Sequence, residues 1–149
     1  MGPADRRSDV ALYAVVYVSI LAVFVVLDGI WLSQMGQVLY RPILGDILAD
    51  KVRIAPAVIF YLIYPLGIEI FAVLPALRAN SLPQAAIYAA LFGLFAYATY
   101  DLTNHATLRN WTASITVIDL AWGAFATGLA ASLAFLASRA VMSHFDLKL

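Results

Sequence analysis

Residues 10–33 read VALYAVVYVSILAVFVVLDGIWLS. A helix that crosses the hydrocarbon core of a bilayer needs roughly 20 mostly apolar residues, each rising about 1.5 Å. This stretch supplies them, with Asp28 as its one charged side chain. Arg6 and Arg7 precede it, as they would a secretory signal, but Val10 to Leu27 is long for a signal's apolar region and no small-x-small cleavage site follows. The stretch is therefore expected to persist as a signal-anchor helix. N-myristoylation is not expected either, because Arg6 stands where that motif requires Ser or Thr.

Working outward, three further windows meet the same criterion: about Ala55–Leu77, Gln84–Leu102 and Ile115–Ala137. Helix breakers separate the four. Gly36, Pro42 and Gly45 lie in the first connection, Asn80 to Pro83 in the second, and His105 to Thr112 in the third. The composition agrees: 64% hydrophobic and only 12% charged, where a soluble domain is near half apolar and a quarter charged. Backbone groups in hydrocarbon must pair within their own segment, so the reading is an all-α, integral membrane four-helix bundle, one transmembrane domain over 1–149. The formal net charge is zero and there is no basic run, which excludes a nucleic-acid partner. Without cysteine there is no disulfide, thiolate metal site or thiol redox chemistry.

Local features refine the bundle. Pro65 and Gly67 predict a kink in the second helix. Gly123, Ala124, Ala126, Gly128, Ala130, Ala131 and Ser132 give the fourth helix small residues that allow close helix approach. Between the first two spans, about 34–53, Val38, Leu39, Ile43, Leu44, Ile47 and Leu48 recur at helical spacing among Arg41, Asp46, Asp50 and Lys51. This fits an amphipathic surface helix interrupted near Pro42, and equally a lid packed on the mouth of the bundle.

Four crossings place the end of the first helix, the end of the third and the start of the fourth on one side. Asp28, Asp101 and Asp119 therefore share a leaflet with Trp31, Tyr97, Tyr100, Thr103, Asn104, His105, Trp111 and Trp122. Two Asp-x-x-Trp pairs, Asp28/Trp31 and Asp119/Trp122, each present an acid and an indole on one helix face, because residues three apart are neighbours there. Acids at membrane depth usually face the bundle interior and mark a functional site. The expected ligand or ion pocket is Asp28, Trp31, Tyr97, Tyr100, Asp101, Asn104, His105, Asp119 and Trp122.

Asp119 is expected in the first turn of its helix, where the dipole favours a carboxylate; Asp28 and Asp101 lie toward C-terminal ends, where it does not. Three carboxylates converging in a partly dry site require a retained proton or a bound cation. The same acids also fit helix-end positions meeting interfacial water, and the tryptophans fit anchors at the headgroup level. A metal site is not expected, since Asp28, Asp101, Asp119 and His105 have no ligand spacing motif, and the residues name no particular cofactor. Glu69 is a separate intramembrane acid on the face that carries Tyr61. It fits a polar track toward the aspartates, or a single hydrogen bond to a Ser, Thr or Tyr of a neighbouring helix.

The segment Ala96-Tyr97-Ala98-Thr99-Tyr100-Asp101-Leu102-Thr103-Asn104-His105-Ala106-Thr107-Leu108, with Trp111, carries a resemblance. So do Leu27-Asp28-Gly29-Ile30-Trp31, Tyr40-Arg41-Pro42 and Thr116-Val117-Ile118-Asp119-Leu120-Ala121-Trp122-Gly123. Together they resemble a bacterial family of small predicted membrane proteins known as domain of unknown function 2177, over nearly the whole chain. The resemblance implies a four-span inner-membrane protein and no established activity.

Three functions fit these residues. The first is binding or transport of a small cationic or amphipathic molecule, for which four spans suggest a homodimer. The second is a membrane-embedded lipid-modifying enzyme, against which stand the missing nucleophile elbow and histidine box. The third is an accessory subunit of a larger membrane complex. Orientation rests on Arg6, Arg7, Arg78, Arg139 and Lys148 on one side against Arg41, Lys51, Arg53 and Arg109 on the other. The two arginines before the first span favour cytoplasmic termini.

Overall fold

A computed structural model describes residues 3–145; Lys148, one of the charges used for orientation, lies outside them. Helix α1 (Pro3–Met35) continues through a π turn (Gly36–Tyr40), the single turn α2 (Arg41–Leu44) and a 3-10 turn (Gly45–Ile47). Helix α3 (Ile54–Ile68) passes through a second π turn (Glu69–Val73) into α4 (Leu74–Arg78), and α5 (Leu82–Thr107) and α6 (Ala113–Phe145) complete the chain. Four helical stretches, Val10–Leu44, Ile54–Arg78, Leu82–Thr107 and Ala113–Phe145, are long and apolar enough to cross a membrane. Among the described residues there is no strand. Large apolar side chains such as Ile30, Ile63, Phe71, Phe95 and Phe125 point outward, as lipid as solvent requires.

Both π turns directly precede a proline. Pro42 follows the first by two residues and Pro75 the second. A proline inside a helix lacks an N–H and crowds the carbonyl four residues back, and a widened turn gives that carbonyl room. The interruption expected near Pro42 is thus a change of helical pitch, and the real end of the first helical stretch comes at Ile47. Pro65 stays within α3, with the hydroxyl of Tyr17 donating to the Leu62 carbonyl one turn earlier at 2.9 Å.

The turn between α4 and α5 shows how local sequence sets a boundary. Asn80 adopts φ 50°, the left-handed conformation that asparagine tolerates. Ser81 N–H then bonds the Ala76 carbonyl and Asn80 N–H the Leu77 carbonyl, which closes the helix in a Schellman motif. Ser81 Oγ accepts from Gln84 N–H, and Pro83 occupies the first turn, so the same residues start α5.

Helices α5 and α6 form the most extensive interface. Its tightest point is Gly93 against Gly123: a Cβ at Gly93 would overlap the Gly123 carbonyl, and one at Gly123 would overlap the Tyr97 ring. The small residues expected on the fourth helix do line the interior, with Gly123, Ala126, Gly128, Ala130 and Ala131 all buried. Above this, Leu44 packs on Trp111 and Ile115, with Leu39, Tyr40 and Ile43 beside them. The connection after the first span therefore folds over the bundle mouth, while its Val38 and Ile47 remain exposed.

Two boundaries differ from the sequence reading in ways that matter. Helix α6 begins at Ala113, so Asp119 lies in its second turn and no acid occupies the first. Helix α1 runs well past Asp28. Hydropathy windows stop where apolar residues stop, whereas the backbone continues helical into the interface. The helix dipole thus has little to do with how these acids are held.

Candidate functional site

Helices α1 and α6 are antiparallel neighbours, so a residue moving toward the end of one meets a residue moving toward the start of the other. This register sets Asp28 level with Trp122 and Trp31 level with Asp119. The two Asp-x-x-Trp pairs are consequently crossed. Trp122 Nε1 donates to Asp28 Oδ1 at 3.3 Å, and Trp31 Nε1 donates to the Tyr40 hydroxyl at 3.0 Å, which itself donates to Asp119 Oδ1 at 2.5 Å. The two indoles stack, with ring centroids 4.3 Å apart and planes 7° from parallel. Tyr61 completes the coordination of Asp28, its hydroxyl donating to Oδ2 at 2.6 Å. Charge-assisted hydrogen bonds of this kind are the stronger ones.

Asp28, Asp101 and Asp119 are all buried, at 5%, 0% and 5% exposure. They do not form one triple cluster, however. Asp101 forms no hydrogen bond, Asp119 is held by Tyr40, and Asp28 by Tyr61 and Trp122. Asp101 is therefore a fully buried carboxyl with no hydrogen-bond donor to either oxygen. Among the described residues no three His, Asp or Glu side chains are grouped as metal ligands.

A cavity of about 770 Å³ opens beside these groups, within the range of small-molecule sites. Asp28, Trp31, Tyr97, Tyr100 and Asp119 line it together with Tyr40, Trp111 and Arg41, while Leu32, Leu44, Leu48 and Val52 supply apolar wall. Trp111, whose Nε1 donates to Thr116 Oγ1 at 3.1 Å, meets Tyr100 edge-on at 5.5 Å between ring centroids.

Of the residues expected in the pocket, Asp28, Trp31, Tyr97, Tyr100 and Asp119 line the cavity, Trp122 backs Trp31, and Asp101 lies behind Asp119. Asn104 and His105 do not line it. His105 is exposed, with Nδ1 3.4 Å from Thr116 Oγ1 on the loop side, and Asn104 closes the helix by accepting Leu108 N–H at its carbonyl. Tyr40 and Tyr61 were not among the expected pocket residues, although each holds an aspartate. Tyr61 carried a signal, sharing a helix face with the intramembrane acid Glu69; Tyr40 carried only its place in Tyr40-Arg41-Pro42, one of the segments behind the family resemblance.

Glu69 is 4% exposed, and its Oε1 has no hydrogen-bond partner. The interhelical bond to a Ser, Thr or Tyr that would have satisfied that oxygen is not formed. Tyr64 instead pairs with Thr127, hydroxyl to hydroxyl at 2.9 Å.

No curated protein and no solved structure matches the chain. A family model described as "Predicted membrane protein (DUF2177)" matches residues 13–136, a segment that holds both Asp-x-x-Trp pairs, Tyr40, the cavity and Glu69. Fold, span number and this match agree: the chain belongs to that family of predicted membrane proteins.

Proposed function

We propose that the cavity receives a small cationic, amphipathic molecule, as the binding step of storage or transport across the membrane. The observation that carries this reading is a single one: Asp28 and Asp119, from the first and last spans, line one aromatic-walled cavity at the same end of the bundle. Carboxylates attract a cation, and indole and phenol faces add the attraction of the ring quadrupole for positive charge. Leu32, Leu44, Leu48 and Val52 suit the apolar part of such a ligand. The segment over the mouth is pinned to Asp119 by the Tyr40 hydroxyl, a bond that a ligand reaching that carboxylate would replace.

The test uses tetraphenylphosphonium as a probe cation, titrated calorimetrically into the purified protein. Binding should weaken about tenfold or more in Asp28→Asn and in Asp119→Asn, a loss near 1.4 kcal/mol. Binding unchanged in both variants would remove the pocket as a cation site. We place the protein in a bacterial inner membrane with cytoplasmic termini, on the strength of Arg6 and Arg7 before the first span. Since the chain has no cysteine, single cysteines at Arg109 and Arg78 test this: an impermeant maleimide added to intact cells should label the first and spare the second.

A further inference from the structure

Four buried side-chain atoms among the described residues have no hydrogen-bond partner: both oxygens of Asp101, Glu69 Oε1 and Ser138 Oγ. Buried polar groups are nearly always satisfied, so each of these wants an explanation. They are not scattered. At about 1.5 Å rise per residue, Asp101 lies ~9 Å in from the pocket end of α5, Glu69 ~22 Å from the start of α3, and Ser138 ~37 Å along α6. The three side chains, each at most 4% exposed, thus mark the interior of the bundle near one face, near the middle and near the other face.

Hydroxyls occupy the interval between the pocket and Glu69. Tyr61 bonds Asp28, Tyr64 lies one turn further on the same face and pairs with Thr127, and Glu69 follows ~7 Å beyond Tyr64 along the axis. Glu69 also opens the π turn before Pro75, and such turns often coincide with functional positions. Buried side chains of the neighbouring spans around that depth are Ile20, Ala89, Thr127, Ala130 and Ala131, none of them charged; Tyr64 is the ionisable side chain there. An acid placed without a charged partner in the middle of a membrane is costly, which is why such residues mark proton and ion pathways.

We propose that the bundle interior conducts protons between the pocket and the opposite face, with Glu69 as the station at mid-membrane. A proton passed from the Tyr61 hydroxyl to the Tyr64–Thr127 pair, and across the ~7 Å beyond them by water, adds to a carboxylate oxygen of Glu69 and forms the neutral acid. The O–H bond of that acid then breaks as its proton passes onto water in the ~15 Å interval to Ser138. The Ser138 hydroxyl takes up a proton as its own hydrogen leaves toward the far face, so the Glu69 carboxylate is regenerated and nothing is consumed. The path needs no organic cation in the pocket, so it stands or falls separately from the reading above.

Purified protein is reconstituted into vesicles that enclose a pH-sensitive dye, and a potassium gradient with valinomycin imposes an inside-negative potential. Wild-type vesicles should acidify several-fold faster than protein-free ones. Glu69→Gln should fall to the protein-free rate and Glu69→Asp should keep part of the flux. Dicyclohexylcarbodiimide, which adds to protonated carboxyls in apolar surroundings, should label Glu69 of the unaltered chain and stop the flux, a readout independent of whether variants fold. The proposal is overturned by wild-type vesicles no faster than protein-free ones, by full flux in Glu69→Gln, or by full flux after Glu69 is labelled. Tetraphenylphosphonium binding that persists in any of those cases leaves the pocket reading intact.

Discussion

At the pocket end of the bundle, α1 and α6 meet through Asp28, Trp122, Trp31, Tyr40 and Asp119, side chains that bond or stack across the gap. Further along, the spans meet through Ala72, Ala89, Ala126, Ala130, Ala131 and Ala134, all fully buried. Lipid tails are as apolar as leucine, so neither end gains a hydrophobic driving force by helix association. The small-residue half gains dispersion from backbones that approach closely. The polar half gains directed bonds, and its large side chains hold the helices far enough apart to leave a cavity. One bundle therefore uses close packing where it is to be closed and hydrogen bonds where it is to be open.

Three substitutions set the two halves against each other. The largest effect is expected from Gly93→Leu at the crossing with Gly123, where even a Cβ overlaps backbone. Overpacking there should cost about 3 kcal/mol, read as a large drop in thermal stability in detergent; an unshifted melting curve would refute the tight crossing. Next is Tyr40→Phe, which removes the donor to Asp119 and the acceptor of Trp31. A loss of about 2 kcal/mol is expected for a hydrogen bond to a charged group, with hydrogen exchange rising over residues 36–52 and little change across Gly93 and Gly123. Uniform exchange in both regions would mean that the halves are not separate. The smallest is Trp31→Phe, about 1 kcal/mol for a weakened stack. Its signature is spectroscopic: the near-ultraviolet circular dichroism of two parallel indoles should disappear in this variant and stay in Trp111→Phe.

The sequence reading reaches the architecture because hydrocarbon imposes it. Length, apolarity and breakers define the spans wherever the chain folds, and four crossings alone place Asp28, Asp101 and Asp119 at one end. What escapes is whatever depends on register. Tyr40 contacts Asp119 only because the helix continues beyond Met35 and turns back over the mouth. Asn104 shares a face of α5 with Tyr97 and Tyr100, yet it and His105 lie in the helix's last turn and do not line the cavity. The expected place of Asp119 in the first helical turn fails because a helix may start before its apolar run does. Asp28 and Asp119 are consequently held by phenols and an indole, with the dipole in the background.

The crossed pairing of the two Asp-x-x-Trp motifs also constrains motion. Each motif is completed by the other, so α1 cannot slide along α6 by a fraction of a turn without separating the Trp122–Asp28 bond, the indole stack and the Tyr40 bridge together. The crossed pairing therefore fixes the register of the two helices in one place along their length. Any cycle that opens the mouth would swing the covering segment as a hinged flap and leave the two long helices clamped in place.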